Sequence, residues 1–495
     1  MKHRFALGPL GAACPRHSNV QSVHPIEQWQ KPKNERFAII SDFVTKLPLF
    51  MHCKISGLLR TLATGVLVAL ACGLWLSCYK APSQGNGGGS GGNGLPPSGV
   101  RFRAFVSQDI SSSTAAPGLD IVNATLDRLV RAPGVSISSA PTIMEVSSSK
   151  TTTLVFNATD SSVNVVKNST ESAIGSIRLP DVTESMALPS DASVAFAAVH
   201  NAPVPGGPLG TVEMLNLSNI SREAPIPVPG VRFIVLSPDG THLLAFSDNQ
   251  DTVTIITLSN IGTSTVPNWT VSGPPIVLSG TGLDRPVWGV FSTDSTKAFV
   301  MDCGPQCGGV AAGVSVIDLS GTTPVLGATI PAPSATYGAL SGTNLFVAGT
   351  APTPVGTNSC SPTTTAATSC GQLSVIDIST QQLVHTQVIT DGYHNRMAIT
   401  SDGNVFVGSK GCTNVIIPNQ EQRGCLSIYN VAQNSVFIGP DLGDVTGIAP
   451  VTGRPEVYVV ENGELRTWNT TTTTLQPPNL QINIIGQAID VKVVD

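Results

Sequence analysis

Charge is scarce in this 495-residue chain, because Asp, Glu, Lys and Arg together supply only 12% of the residues. That share is about half of what soluble proteins usually carry. The formal net charge is -5, and the sequence has no long run of like charge. A broad basic surface is therefore excluded, and nucleic acid is not expected as a partner.

Aromatic residues are also few, at 5%, whereas Gly (48 residues), Pro (37 residues), Thr, Ser and Val are abundant. β-Branched residues favour strands, and Gly, Pro and Ser favour turns. The composition therefore predicts an all-β protein with many turns.

The segment TLATGVLVALACGLWLS, residues 61–77, contains no charge and directly follows Arg60. It has the pattern of the apolar part of a signal sequence behind a basic start. An uncleaved membrane anchor is the alternative, because 17 residues lie at the short end of a bilayer span.

Leu76-Ser77-Cys78 places a small residue directly before a cysteine at the end of this segment, and it resembles the lipobox of bacterial lipoproteins. The resemblance implies cleavage before Cys78 and lipid modification of that cysteine. It also implies a protein of the bacterial cell envelope that is lipid-anchored and faces the periplasm or the cell exterior. The membrane is then one partner, reached through the N-terminal lipid.

A signal belongs at the start of a chain, and Met51 would begin one of ordinary length. We therefore interpret residues 1–50 as an over-extended start, with a genuine small cytoplasmic segment as the alternative. Residues 51–78 form the predicted signal. Residues 79–100 are rich in Gly, Ser and Pro and are expected to be a flexible tether. Residues 101–495 are expected to form a single domain.

One pattern recurs at intervals of about 45 to 55 residues, which is within the range of propeller blades. An apolar strand ends in a polar turn, a second apolar strand follows, and a third strand ends near an Asp or Asn. The first two strands recur as IMEVSSSKTTTLVFN, MALPSDASVAFAAV, FIVLSPDGTHLLAFSD, WGVFSTDSTKAFVMD, YGALSGTNLFVAG, RMAITSDGNVFVGS and GIAPVTGRPEVYVVENG. The third strand recurs in forms such as DTVTIITLS, GVSVIDLS and GQLSVIDIS.

Four-stranded antiparallel units at this spacing predict a β-propeller. Residues 102–137 supply a second, third and fourth strand, and residues 486–495 supply a first strand without the others. The two ends together complete one blade, so strands from both termini are expected to close the ring. The count is then eight blades, with seven as the alternative.

The sequence Ser-Pro-Asp-Gly, an apolar strand, and then Val-x-Val-Ile-Asp resembles the YVTN family of bacterial β-propeller repeats, over essentially all of residues 100–495. That family includes binding proteins, surface proteins and relatives of lactonases. The resemblance therefore implies the fold and leaves the function open.

Six of the ten cysteines lie in the repeats, two in each of three consecutive blades, between the second and third strands. Pairing within each loop gives the disulfides Cys303–Cys307, Cys360–Cys370 and Cys412–Cys425, which an exported chain permits. A metal or redox site at Cys303-Gly-Pro-Gln-Cys307 is the alternative.

Several charged residues lie just before innermost strands, near the channel where propellers usually bind ligands. These candidate ligand-binding residues are Glu184, Arg232, Asp284, Arg285, Asp391, His394, Arg396 and Asp444. Together they could ligate a divalent cation or hold an anionic substrate. The alternative is that they cap strand ends and pair with one another on a solvated rim.

Phe233, Trp288 and Tyr337 occupy equivalent positions in three blades. They are expected to pack between blades, and a stacking surface for a sugar or lipid is the alternative.

No catalytic constellation is recognisable, and no cofactor is predicted. We therefore expect a noncatalytic, membrane-tethered binding or scaffolding protein, monomeric, with an unknown protein or carbohydrate ligand. The alternative is a metal-dependent, lactonase-like hydrolase that uses residues at the channel mouth.

Overall fold

The computed structural model describes residues 94–109, 118–137, 140–263, 267–351, 370–412, 416–417, 421–422, 424–477 and 480–495. The predicted start at Met51, the predicted signal, the predicted lipidation at Cys78 and most of the predicted tether concern residues outside these ranges, and Cys360 also lies outside them. No described segment forms a helix of the length and apolarity needed to cross a membrane.

The strands follow one another in antiparallel sheets, the blades, each hydrogen-bonded from an innermost to an outermost strand. The first strands of the chain, all in blade 1, are β1 (Arg103–Asp109), β2 (Gly118–Asn123) and β3 (Arg128–Ser136). Blade 2 contains β4 (Pro141–Val146), β5 (Thr152–Asn157), β6 (Ser162–Lys167) and β7 (Ser172–Arg178). Blade 3 contains β8 (Ser185–Ala187), β9 (Val194–Val199), β10 (Thr211–Asn216), β11 (Ser221–Arg222) and β12 (Ile226–Pro227).

Blade 4 contains β13 (Val231–Leu236), β14 (His242–Ser247), β15 (Thr252–Asn260), β16 (Trp269–Val271) and β17 (Ile276–Ser279). Blade 5 contains β18 (Pro286–Phe291), β19 (Lys297–Asp302), β20 (Gly313–Asp318) and β21 (Val325–Pro331), with a 3₁₀ turn at Gly304–Cys307. Blade 6 contains β22 (Tyr337–Ser341), β23 (Asn344–Ala351), β24 (Cys370–Asp377) and β25 (Gln382–Ile389).

Blade 7 contains β26 (Tyr393–Ile399), β27 (Asn404–Lys410), β30 (Leu426–Asn430) and β31 (Ser435–Ile438), and a hairpin of β28 (Ile416–Ile417) and β29 (Glu421–Gln422) is inserted in it. Blade 8 contains β32 (Val445–Pro450), β33 (Glu456–Glu461), β34 (Glu464–Asn469) and β35 (Thr474–Leu475). The chain ends in β36 (Gln487–Val493), which pairs with β1 as the innermost strand of blade 1. The eight-bladed propeller, closed by both termini, is confirmed.

The core is divided among the gaps between blades. Eight buried apolar clusters are formed by the described residues, and each joins two consecutive blades, including blade 8 with blade 1. The middle strands are covered on both faces, and all six residues of β9 (VAFAAV) are buried. This two-sided burial explains why the second strands are almost continuously apolar in sequence.

The ring has two faces, because every innermost strand runs in the same direction. We call the face where the innermost strands end the turn face. The turns that recur in sequence lie on this face. Ser237 Oγ donates to Asp239 Oδ1 at 2.6 Å, and Gly240 closes the same turn with φ +76°. Ser292 and Asp294 repeat this hydrogen bond at 2.6 Å. The Ser-Pro-Asp-Gly sequence is therefore a turn between the first and second strands, in keeping with its variation among blades.

The closure of the ring is fixed by charge on the turn face. Arg103, at the start of β1, bonds both Oδ atoms of the C-terminal residue Asp495 at 2.6 and 2.7 Å. It also donates to Glu171 Oε1 of blade 2 at 2.8 Å. Glu171 in turn accepts hydrogen bonds from the amide and hydroxyl of Ser98 at 2.6 and 2.5 Å. Ser98, which precedes the first strand, is thus held at the turn face.

The opposite face, the mouth face, holds the loops between second and third strands. Two of these loops contain the predicted disulfides Cys303–Cys307 and Cys412–Cys425. In each disulfide the two Cα atoms are 5.6 Å apart. The metal alternative for the first pair is therefore wrong. The third predicted pair includes Cys360, which is outside the described residues.

Candidate functional site

The centre of the ring encloses a channel lined by the innermost strands. A cavity of about 660 Å³ opens at the mouth face. A second cavity of about 110 Å³ lies further towards the turn face and shares eight of its lining residues with the first. The larger volume is within the range of pockets for small molecules.

β-Bulges direct side chains into this channel. In five innermost strands one residue is skipped in the pairing with the second strand: Arg232 on β13, Val287 on β18, Asn395 on β26, Thr446 on β32 and Ile489 on β36. A bulge re-aims a side chain that the regular pleat would place between blades. All five of these residues line the larger cavity. The bulges therefore allow residues that line the channel to differ from those that pack between blades.

The wall at blades 3 and 4 carries a small ion-pair network. Arg232 Nε lies 3.0 Å from Glu184 Oε2, and its Nη1 lies 2.8 Å from Asp248 Oδ2. The hydrogen bond to Glu184 is the main reason that the pKa of Arg232 is raised, so the guanidinium stays charged. The three side chains remain between 34% and 51% exposed. This network leaves the two carboxylates already paired.

Arg285 extends the same wall in blade 5. Its backbone has φ +57°, and its guanidinium donates to the carbonyl oxygen of Asn249 in blade 4. Asp251 accepts the amide of Arg285 at 3.1 Å and lies 3.8 Å from its Nε. Arg285 is thus held at the junction between two blades while lining the channel.

Arg396 crosses the channel wall between blades 7 and 8. Its Nε donates to the carbonyl oxygen of Thr446 and its Nη1 to that of Asn395, both at 2.8 Å. Both carbonyls belong to bulge residues. The guanidinium is therefore fixed by neutral acceptors, and no carboxylate within the described residues forms a salt bridge with it.

Lys410, at the end of β27, pairs in register with Tyr393 and faces the same cavity. Burial, and then the positive charge of Arg396, lower the pKa of Lys410. Asp444, which attracts it, is itself held by the amide of Gly411 at 2.7 Å. Among the residues that the structure describes, the ammonium group has no hydrogen-bond or ion-pair partner.

Blades 1 and 2 contribute opposite charges deeper in the channel. Asp490 Oδ2 accepts the amide of Met144 at 3.0 Å, and its Oδ1 accepts that of Val491 at 2.9 Å. Lys492 Nζ lies 3.5 Å from Glu145 Oε2. Although burial opposes it, the charges of Glu145 and Asp490 raise the pKa of Lys492. These carboxylates are thus engaged by backbone amides or by the lysine.

The three aligned aromatic residues form one row across blades 4, 5 and 6. The rings of Trp288 and Tyr337 stack with centroids 4.4 Å apart, and Phe233 meets Trp288 edge-on at 6.3 Å. All three also line the smaller cavity. The row therefore packs between blades, as expected, and presents ring atoms to the channel.

Four of the eight predicted residues line the channel: Glu184, Arg232, Arg285 and Arg396. The other four do not line either cavity. Asp284 accepts the amides of Val310 and Ala311 at 2.7 Å and so holds the loop of the first disulfide. Asp444 holds Gly411 in the same way. These two side chains stabilise loops of the mouth face through backbone amides, whereas Glu184 and Arg232 pair with one another, as the alternative interpretation expected.

His394 and Asp391 are buried outside the channel. His394 is 1% exposed, and its Nε2 lies 2.9 Å from the carbonyl oxygen of Thr390. Burial lowers the pKa of His394 to about 4, so the ring is neutral at physiological pH. Asp391 is 7% exposed. Proximity in sequence to an innermost strand therefore does not guarantee that a side chain reaches the channel.

Several channel residues were missed by sequence reasoning, namely Asp248, Tyr393, Asn395, Lys410, Thr446, Asp490 and Lys492. One signal was available. Arg232, Val287, Asn395 and Thr446 each directly precede the first residue of an aligned repeat, so the position before the repeat marks the bulge. Lys410 lies at the end of a second strand, where the repeat carries no such mark.

Within the described residues, no group of three or more His, Cys, Asp or Glu side chains is placed to hold a metal ion.

Comparisons with known proteins support the class of fold. A solved structure of the dihydro-heme d1 dehydrogenase NirN in complex with DHE is similar over 84% of this chain and 78% of that chain, with a TM-score of 0.53 and 13% identity. A functionally unknown protein from Desulfotomaculum acetoxidans DSM 771 covers 79% of this chain and 98% of its own, with a TM-score of 0.46 and 11% identity. A proposed 6-phosphogluconolactonase from Bacteroides uniformis covers 79% and 99%, with a TM-score of 0.46 and 9% identity.

At 13% identity the likeness to the NirN structure agrees with the fold described above and shows nothing of the activity. No protein-family model matches the sequence, and no curated protein matches it significantly.

Proposed function

We propose that this chain is a noncatalytic binding protein whose ligand site is the central channel. One observation carries the proposal: bulges in five innermost strands turn side chains into a cavity of about 660 Å³. Bulges cost regular pairing, so their repetition around a single cavity favours a site built for a ligand.

The state of the channel carboxylates supports binding over hydrolysis. A general base needs a carboxylate or imidazole within reach of a substrate and not already held by a stronger partner. Glu184 and Asp248 share Arg232, and Asp490 accepts two backbone amides. His394, the imidazole predicted for the mouth, is sealed below the surface. The lactonase-like alternative has no comparable observation in its favour.

The cellular setting is part of the same proposal. The resemblance of Leu76-Ser77-Cys78 to a lipobox and the YVTN-like repeats favour a lipid-anchored protein of the bacterial cell envelope. The two disulfides agree with an oxidising compartment. The test is metabolic labelling with tritiated palmitate in a bacterial host. We expect label in the full chain and none in Cys78→Ser, with Cys72→Ser labelled normally as the matched control.

Binding is separated from hydrolysis by two measurements on the detergent-extracted full chain. We expect less than stoichiometric metal by elemental analysis, and no hydrolysis of glucono-δ-lactone above the spontaneous rate with added Ca²⁺ or Mn²⁺. Stoichiometric metal together with turnover that is lost in Glu184→Gln would overturn the noncatalytic proposal. Thr170→Ala, at an exposed turn on the other face, is the control.

A further inference from the structure

We propose that Arg396 and Lys410 form the recognition site for the carboxylate group of an organic acid in the larger cavity. This inference rests on the proposed binding function and names the class of ligand.

The fixed position of Arg396 is the first step. Two of its five N–H groups bond carbonyl oxygens at 2.8 Å, and the remaining N–H groups make no hydrogen bond to described residues. The two carbonyls belong to bulge residues on neighbouring strands, β26 and β32. A guanidinium held in advance loses little rotamer freedom when an anion binds. Arginine also matches the planar, two-oxygen geometry of a carboxylate.

The second step is that neither cation of this pair is bonded directly to a carboxylate, although Asp444, Glu184 and Asp490 attract Lys410 from a distance. Arg396 has no salt bridge to a carboxylate, and the Lys410 ammonium has no partner, within the part of the chain that the structure describes. The two groups act on each other strongly enough that Arg396 contributes to the lowered pKa of Lys410. An anion placed between two like charges relieves this repulsion. By contrast, Arg232 across the channel already binds two carboxylates.

The third step is the charge of the whole cavity. Four cationic side chains, Arg232, Arg285, Arg396 and Lys410, line it against three carboxylates, Glu184, Asp248 and Asp490. The balance is one positive charge, which favours a monoanion over a phosphate dianion.

The remaining walls suit the organic part of such a ligand. Ile143, Phe233, Val287 and Ile489 give apolar surface, and Tyr393 stands beside Lys410 in register. Two polar atoms in the wall, Asn395 Oδ1 and Thr446 Oγ1, are buried and have no hydrogen-bond partner. A ligand with hydroxyl groups near its carboxylate could satisfy both. The chemistry therefore fits a hydroxylated or aromatic monocarboxylic acid.

The test uses the full chain in detergent and isothermal titration with two matched pairs of probes. The pairs are D-glucuronate with D-glucuronamide and 4-hydroxybenzoate with 4-hydroxybenzamide, and inorganic phosphate is a fifth probe. We expect at least one carboxylate to bind at least tenfold more tightly than its amide and more tightly than phosphate. We expect Arg396→Gln and Lys410→Met each to weaken that binding at least tenfold, with Arg396→Lys intermediate.

The control variants are Arg178→Gln and Lys167→Met, whose side chains are exposed and lie outside the channel. They should bind as the unaltered chain does, and circular dichroism should show all variants folded. Lack of binding by both carboxylates, equal binding of acid and amide, or binding unchanged in Arg396→Gln would each overturn the inference. Tighter binding of phosphate would overturn the choice of carboxylate.

These outcomes are distinct from failure of the proposed function. Equal binding of acid and amide in the channel leaves a noncatalytic binding protein in place. Metal-dependent lactone hydrolysis, measured separately, would overturn that function even if Arg396 binds carboxylates.

Discussion

Several acidic side chains on the two faces of the propeller have pKa values shifted in opposite directions. On the turn face, hydrogen bonds from Ser292 and Thr296 lower the pKa of Asp294, and those from Ser320 and Ser379 do the same for Asp318 and Asp377. Towards the mouth face, burial raises the pKa of Asp120 to about 6, that of Asp302 to about 7 and that of Glu461 to about 8.

This difference indicates which parts of the repeated sequence are constrained by folding. On the turn face, equivalent residues in several blades form the same hydrogen bonds, so each turn stabilises the fold in the same way. The mouth face differs from blade to blade and carries disulfides, ion pairs and buried acids. The turn face therefore repeats one stabilising device in several blades, whereas the mouth face is stabilised by devices that differ from blade to blade.

The largest expected effect is that stability falls as pH rises from about 4 to about 8. In the unfolded chain Asp120, Asp302 and Glu461 ionise near pH 4, whereas in the folded chain they keep their protons to about pH 6, 7 and 8. The folded state then binds more protons in this window, so the free energy of unfolding decreases with pH. A pKa that is higher by one in the folded chain corresponds to about 1.4 kcal/mol, so the three acids together lower stability by several kcal/mol.

Urea unfolding between pH 4 and 8.5 measures this decrease. The double variant Asp302→Asn, Glu461→Gln should flatten it. Below pH 4 the turn-face carboxylates act in the opposite sense, because protonation removes their hydrogen bonds and stability is lost. A stability maximum at pH 8 would contradict this contrast between the faces.

The next largest effect concerns closure on the turn face. Arg103→Ala should lower the free energy of unfolding by about 3 to 5 kcal/mol, because it leaves Glu171 buried and without its cation. Arg103 and Glu171 are 4% and 1% exposed at their side chains. Denaturant unfolding measures the loss, and Arg101→Ala, at the exposed neighbouring arginine, is the control. A change below about 1 kcal/mol would show that apolar packing alone holds the ring shut.

The disulfides of the mouth face should contribute according to the length of chain they enclose. Replacing Cys412 and Cys425 together by Ser should cost about 3 kcal/mol, and replacing Cys303 and Cys307 about 2 kcal/mol, because a longer loop loses more entropy on cross-linking. Thermal unfolding of both double variants under nonreducing conditions compares them. The reverse order would mean that strain or loop packing outweighs loop length.

The smallest effect is expected for the exposed ion pair at the mouth. Glu184→Gln should change the free energy of unfolding by about 0.5 kcal/mol or less, since both partners are about half exposed. Chemical unfolding at low and at 0.5 M salt measures it, with Glu223→Gln at an exposed site as the control. A loss as large as that for Arg103→Ala would remove the distinction between the two faces.

The repeat made the fold predictable from the sequence. Apolar second strands such as VAFAAV, and turns such as Ser237-Pro238-Asp239-Gly240, recur because every blade meets the same packing problem. Even the closing strand, β36, is recognisable as an unaccompanied first strand. The pairs Cys303–Cys307 and Cys412–Cys425 followed from the same alignment, since each of these loops contains two cysteines.

The channel was harder to predict, because bulges depend on pairing between strands and leave no composition of their own. Arg232 and Arg396 were found through their charge, whereas Asn395 and Thr446 resemble ordinary strand residues. His394 was misleading for the same reason. It directly precedes the bulge at Asn395 and is buried, whereas Asn395 and Arg396 line the channel, so the burial of a single position could not be inferred from sequence proximity.

The hydrogen bonds between Ser98 and Glu171 fix the position of the first described residues on the ring. They hold the N-terminal side of the domain against the turn face, whereas the larger cavity opens at the opposite end of the ring. The described residues that precede the first strand therefore do not cover the opening of the cavity, and none of them lines either cavity.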